Sequence, residues 1–341
     1  MDEVTAFLTD AEQAAASPEV KALIRRLTSS GEGITRVLPA ILRDTLQSDP
    51  ALQRSAKELL LTLLIFVLFY ALIKAAGGRI TKAVGGLLSF FVSAAAALPL
   101  YRILSDAMLL QKEINSFFGV FVPVAGGLLA CGGAPVSAAA FHTLLTVLLS
   151  ALQILLALLL PRVILLFYLF ALSGPLFADE KIEKTAKYIK DALFSALAAV
   201  TSLFAIVIGM QTLVCVKTDS LSGKALRLLV TKSVPIVGST IGESLHLIGG
   251  GLIAVKNSVG VAAACFFLGL FVPMFLRLWF FSFFLGLADA VCDAGGLPCR
   301  LFFVYLRFAF QFCMASAACQ FALCILNVGV FLSIPTVVAS S

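Results

Sequence analysis

The chain has 341 residues, 60% of them hydrophobic and 13% charged, with a formal net charge of +6. That composition lies outside the range of soluble domains and within that of polytopic membrane proteins, so a soluble enzyme is the first class to fall away. Its Lys and Arg residues gather between apolar runs instead of interleaving with aromatics, which argues against a nucleic-acid partner and for membrane lipid.

Residues 1–57 read as a small amphipathic helical domain outside the bilayer. Val20, Leu23, Ile24 and Leu27 form one stripe, and Ile34, Val37, Leu38, Ile41 and Leu42 form another, separated by Gly31-Glu32-Gly33. Ser17-Pro18 and Asp49-Pro50 are helix-start signals. The opening residues lack the basic region and apolar core of a signal peptide, which either has been removed or never existed.

Residues 58–341 read as a multi-span transmembrane domain. A first crossing over 59–76 is followed by Lys74, Arg79 and Lys82, which the positive-inside bias places in the cytoplasm, putting residues 1–57 on the other side. A second crossing over 83–104 leads to a polar stretch at 106–115. The run 117–137 is apolar but interrupted by Pro123, Gly126, Gly127, Gly132, Gly133 and Pro135, the pattern of a broken or re-entrant helix. Spans over 136–160 and 163–178 precede a segment at 179–193 with Ile182, Ala186, Ile189 and Leu193 on one face, expected to lie on the membrane surface. A span over 192–216 leads to a second basic amphipathic segment with Leu221, Ala225 and Leu228 on one face. The two basic segments give opposite orientation votes, and the topology of the middle stays open. Spans over 259–276 and 278–291, a polar loop through Arg300 and a last span within 308–334 complete the chain. The expected fold is all-α, a polytopic helical membrane protein with about seven to nine membrane segments, two of them broken or re-entrant.

A shift of 112 positions aligns Val122, Pro123 and Gly126 with Val234, Pro235 and Gly238, and the same register matches Pro161 with Pro273 and Gly174 with Gly286. Candidate repeats therefore lie around 117–178 and 229–291. Paired broken helices in corresponding halves point to a transporter-type site between them, so Pro123, Gly126, Gly127, Pro235 and Gly238 are candidate path residues.

Glu243, His246, Lys256 and Asn257 surround the second broken segment, and ionisable groups at bilayer depth are functional candidates because burying them is costly. Glu243 and Lys256 are expected to meet if the helix breaks at Gly249–Gly251 and folds back; the competing reading leaves Lys256 snorkelling to an interface. Arg162, Arg277, Asp289 and Asp293 fit as headgroup anchors at span ends, and His142 as a bundle histidine. No GxSxG, HExxH or phosphate-loop motif appears, and no Cys/His set has zinc spacing, so no catalytic residue, cofactor or metal is assigned. A disulfide between Cys292 and Cys299, which share a polar loop, is left open.

The run KTDSLSGKALRLLVTKSVPIVGSTIGESLHLIGGGLIAVKNSVGV resembles the signature region of the stage III sporulation protein AE family of endospore-forming Firmicutes. Asp219, Lys224, Pro235, Gly238, Glu243, Gly250, Lys256, Asn257 and Gly260 stand at the points that carry the likeness, and VPVAGGLLACGG and GEGITRVLPAIL extend it over most of the chain. Gly242-Glu243-Ser244 departs from the Asp expected at that turn. The resemblance implies a non-enzymatic component of a sporulation channel in the mother-cell membrane around the forespore. Its implied partners are other channel proteins of the same operon and a forespore membrane protein, with a homo-oligomer also open. The repeat alone supports an alternative, an autonomous small-solute secondary transporter.

Overall fold

The computed structural model describes residues 81–173, 180–233, 238–295 and 300–334. Its elements are five long α-helices: α1 (Thr81–Cys131), α2 (Pro135–Ser173), α3 (Glu180–Ser233), α4 (Gly238–Gly295) and α5 (Arg300–Ser333). Among the described residues there is no strand. Each helix contains a stretch long and apolar enough to cross a membrane: Leu100–Cys131, Pro135–Ser173, Ile182–Asp219, Gly251–Asp293 and Arg300–Ser333. At 1.5 Å per residue these stretches run to roughly 48–65 Å, against about 30 Å of hydrocarbon, so tilt or extension past the bilayer must absorb the excess.

The helices alternate in direction. Side-chain contacts pair the middle of α1 with the end of α2 (Tyr101–Tyr168), the start of α5 with the end of α2 (Phe170–Tyr305), and the first half of α4 with the end of α5 (Lys256–Leu332). Helix α5 is the hub, packing against each of the other four. Its inward residues are mostly large: Phe302, Tyr305, Phe310 and Phe312 are almost fully buried. A second aromatic layer joins α1, α4 and α5. Phe117 stacks on Phe266 with centroids 3.9 Å apart, Phe118 on Phe267 at 4.9 Å, and Phe121 meets Phe331 edge-on at 5.7 Å.

That layer explains why the first supposedly broken segment is not broken. Helix α1 continues through Pro123, Gly126 and Gly127 as far as Cys131. Phe117, Phe118, Phe121, Val122, Ala125 and Leu129 form one buried face, while Pro123, Gly119 and Gly127 lie on the exposed face. Packing of the aromatic face holds the helix, and the hydrogen bond that Pro123 cannot donate would have gone to Gly119, also on the outer face. Three further expectations are corrected. The span read as 136–160 and the described part of that read as 163–178 share the continuous helix α2, with Pro161 inside it, and those read as 259–276 and 278–291 share α4, with Pro273 inside. The two amphipathic segments flanking 192–216 are not separate surface helices but the two ends of α3. The four apolar residues expected on one face of the first do share a face, but it turns to the bundle and not to a membrane surface: Ala186 is buried and Ile182, Ile189 and Leu193 pack on the core. Helix α4 is also continuous through Gly249–Gly251, so it does not fold back there.

The true break in the first half is the turn after α1, at Gly132–Gly133. Gly133 has φ 80°, the left-handed region where a Cβ is strained. Its N–H donates to the Ala130 carbonyl at 3.1 Å, and the Ala134 N–H donates to Leu129 at 3.1 Å, the two bonds of a Schellman C-cap. Pro135 then opens α2 with φ preset and no N–H to satisfy. The positions matching this turn in the proposed repeat, 244 and 245, lie inside α4, so the two halves place their helix ends differently. The domain at 1–57, the first crossing, Pro235 and Cys299 lie outside the described residues.

Gly133→Ala should lower the stability of the detergent-purified protein by about 1–2 kcal/mol, because alanine must adopt positive φ. Gly127→Ala should be neutral or mildly stabilising, since its Cβ would meet nothing within 4 Å in an exposed helical position. Thermal unfolding of both variants checks the contrast.

Candidate functional site

Among the described residues two charged side chains are buried, Asp219 at 3% exposure and Lys256 at 4%. Both lie at the same end of the bundle, and each is matched to a helix terminus.

Asp219 sits late in α3 and reaches the first turn of α2. One carboxylate oxygen accepts the Val136 N–H at 3.1 Å and the other accepts the Ser137 N–H at 2.7 Å. The remaining N–H groups of that helix start are accounted for: Ala134 donates to Leu129, Pro135 has none, and Ala138 makes the first intrahelical bond to Ala134 at 2.9 Å. A carboxylate here also meets the positive end of the α2 dipole. It is an N-cap supplied from another helix, required because the residue before Pro135 is Ala134, which has no side-chain acceptor.

Lys256 is the converse. Its ammonium donates to the Leu332 carbonyl at 3.1 Å and to the Ile334 carbonyl, at the C-terminal end of α5, where acceptors are unpaired and the dipole is negative. It also lies 5.7 Å from the Phe331 ring centroid, a cation–π contact. Close approach of α4 permits this, because a Cβ on Gly260, one turn from Lys256, would come within 2.5 Å of Leu332. Lys256 therefore does not snorkel outward. Nor does it meet Glu243: the continuous helix α4 separates the two by about 20 Å along its axis.

Between these caps lies a small cleft walled by α2, α3 and α5. Ser137, Gln211, Thr212, Cys215 and Asn327 line it together with apolar side chains, and Ile334 closes it on the Lys256 side. A polar seam leads from it into the core along one face of α5, through Asn327, Gln320 and Ser316. Gln111 of α1 joins that seam, donating to Ser316 Oγ at 3.2 Å and accepting on its backbone carbonyl from Gln320 at 3.1 Å. Sequence reasoning did not single out these residues. The available signal was Gln and Asn isolated in otherwise apolar helices, spaced by four and seven on α5.

The residues expected to form a path separate in space. Pro123 and Gly127 face outward on α1, while Gly126 is buried against His142 of α2, 3.8 Å from where its Cβ would stand. Asn257 is exposed, and Lys256 is buried in the bundle with its partners defined. Gly238 is the first residue of α4, and Glu243 lies a turn further along. At the opposite end of the bundle Arg300 pairs with Asp289 and Asp293 at 3.4 Å and with Glu183 at 4.0 Å, the charged rim expected of span ends.

Asp219→Ala should destabilise the purified protein by about 1–2 kcal/mol, since it leaves two first-turn N–H donors, one of them buried, without acceptors; Asp219→Asn, keeping one acceptor, should lose less. Glu243→Gln and Lys256→Met should have additive effects on stability, because residues so far apart do not couple. A coupling energy above about 0.5 kcal/mol in denaturant unfolding would restore a direct Glu243–Lys256 interaction.

Residues 24–294 match the family described as Stage III sporulation protein AE. Stage III sporulation protein AE of Bacillus subtilis (strain 168) is 22% identical over 188 residues, covering 55% of this chain and 47% of that relative. The alignment thus spans about half the length of the curated relative. No solved structure matches the chain significantly. The matched segment runs from the N-terminal region through the caps at Asp219 and Lys256 almost to the end of α4, and on that extent the chain belongs to the stage III sporulation protein AE family.

Proposed function

We propose that the chain is a non-enzymatic membrane component of a sporulation-specific channel complex joining mother cell and forespore, needed for spore development after engulfment. The observation that carries this reading is the family match over residues 24–294. Five helices long and apolar enough to span a membrane suit a bilayer-embedded subunit, and their outward faces, with Leu203, Ile206, Met210 and Leu213 exposed on α3, suit contact with lipid. The mother-cell membrane around the forespore is the proposed location, and the partners are other channel proteins and a forespore membrane protein. The polar cleft favours a second reading, an autonomous transporter of small solutes, whose site would lie among α2, α3 and α5 instead of between Pro123 and Pro235.

Clean deletion of the gene should block development after engulfment and remove heat-resistant spores, and the wild-type copy should restore them. Normal spore yield from the deletion would contradict the proposal. Solute uptake by the purified protein alone in liposomes would move the assignment to the transporter reading.

A further inference from the structure

The cleft between α2, α3 and α5 contains two buried polar atoms that nothing in the described structure satisfies. Asn327 is 1% exposed and its Oδ1 has no hydrogen-bond partner; Ser137 is 1% exposed and its Oγ has none either. Both line the same cavity. Buried polar groups in folded proteins nearly always have partners, and where no protein group supplies them, water does.

The surroundings define what can enter. Both oxygens of Asp219 are already held by the Val136 and Ser137 amides, and Lys256 is held by the Leu332 and Ile334 carbonyls, so neither charge is presented to the cleft. Thr212 donates its hydroxyl to the Ile208 carbonyl at 2.7 Å, leaving only its lone pairs. What remains is neutral: an amide oxygen that needs a donor, a hydroxyl that can both give and accept, and the half-buried Gln211 amide. The room inside the cleft is about 20 Å³, enough for roughly one water, which needs about 10–15 Å³ of such space.

We propose that this cleft is a hydration site inside the bundle. Its water donates to Asn327 Oδ1, exchanges hydrogen bonds with Ser137 Oγ, and gives small hydrophilic molecules access to the interior at the end where Asp219 and Lys256 cap their helices.

Cys215 lines the cleft and reports on it directly, while Cys324, fully buried on α5, is the dry reference. Two full-length chains are needed, one keeping only Cys215 and one only Cys324, both reconstituted in liposomes with (2-sulfonatoethyl) methanethiosulfonate on both faces. Cys215 should react at least about tenfold faster than Cys324, since thiol reactivity follows access to water and to the thiolate. Asn327→Leu should slow Cys215 towards the reference rate. Ala140→Phe should do the same by filling the cleft with no polar group removed, and it decides the matter if Asn327→Leu fails to fold. Cys215 as slow as Cys324, or a Cys215 rate untouched by the cleft-filling change, overturns the proposal. Labelling is read on this chain alone, so the result is independent of the sporulation reading.

Discussion

The structure depends on how helix ends are satisfied where water is scarce. Every α-helix leaves N–H groups at its start and C=O groups at its end without partners inside the helix, and in an apolar setting these must be met by protein. In this bundle the start of α2 is met by Asp219 and the end of α5 by Lys256. Two buried charges at one end of a membrane-type bundle suggest an ion pair. Here each is instead matched to a helix terminus of opposite partial charge, and each is hydrogen-bonded by backbone groups that would otherwise be orphans. The desolvation that burial imposes is offset locally, at two separate places.

The rest of the architecture follows from those anchors and from α5. Asp219 ties α3 to α2, and Lys256 ties α4 to α5, so the two caps connect four of the five helices at a single end. The phenylalanines of α1 and α4 then close on Phe331, which also stands beside the Lys256 ammonium. With the caps holding that end together, α2, α3 and α5 enclose the cleft between them, and the polar seam of α5 crosses a core that is otherwise aromatic and aliphatic. A channel subunit and a solute carrier would both need such a polar feature in an apolar bundle, so the cleft by itself does not decide between them.

Much of the fold was legible in the residues. Helical class, the apolar runs and the shared face of Ile182, Ala186, Ile189 and Leu193 follow from composition and periodicity, which are local properties, whereas the turning of that face to the bundle core needed the fold. What failed was the reading of breaks. Pro123 was taken as an interruption and Pro161 as a boundary between two spans, yet each lies within a continuous helix, because neighbouring helices hold the segment whatever the local propensity. Gly249–Gly251 misled for the same reason. The turn at Gly132–Gly133 was visible as a glycine pair but was one of six breakers in its run, and only tertiary packing selects it. The candidate site was half legible. Lys256 stood out as a charge in an apolar run, but its partners are carbonyls some 76 and 78 positions away, which carry no sequence signal of their own. Asp219 appeared only as a point of family likeness, and its role as a cap for a helix 82 positions earlier required the fold.

The central claim is that a side chain from α3 completes the first turn of α2. Residue-resolved hydrogen exchange at the Val136 and Ser137 amides tests it most directly, comparing the wild-type protein with Asp219→Ala in detergent or nanodiscs. First-turn amides have no intrahelical acceptor, so protection there must come from outside the helix. The account predicts slow exchange at both amides in the wild type and rapid exchange at both in the variant, with Ala138, bonded to Ala134, much less affected. Equal protection of Val136 and Ser137 in the two proteins would show that Asp219 does not cap α2.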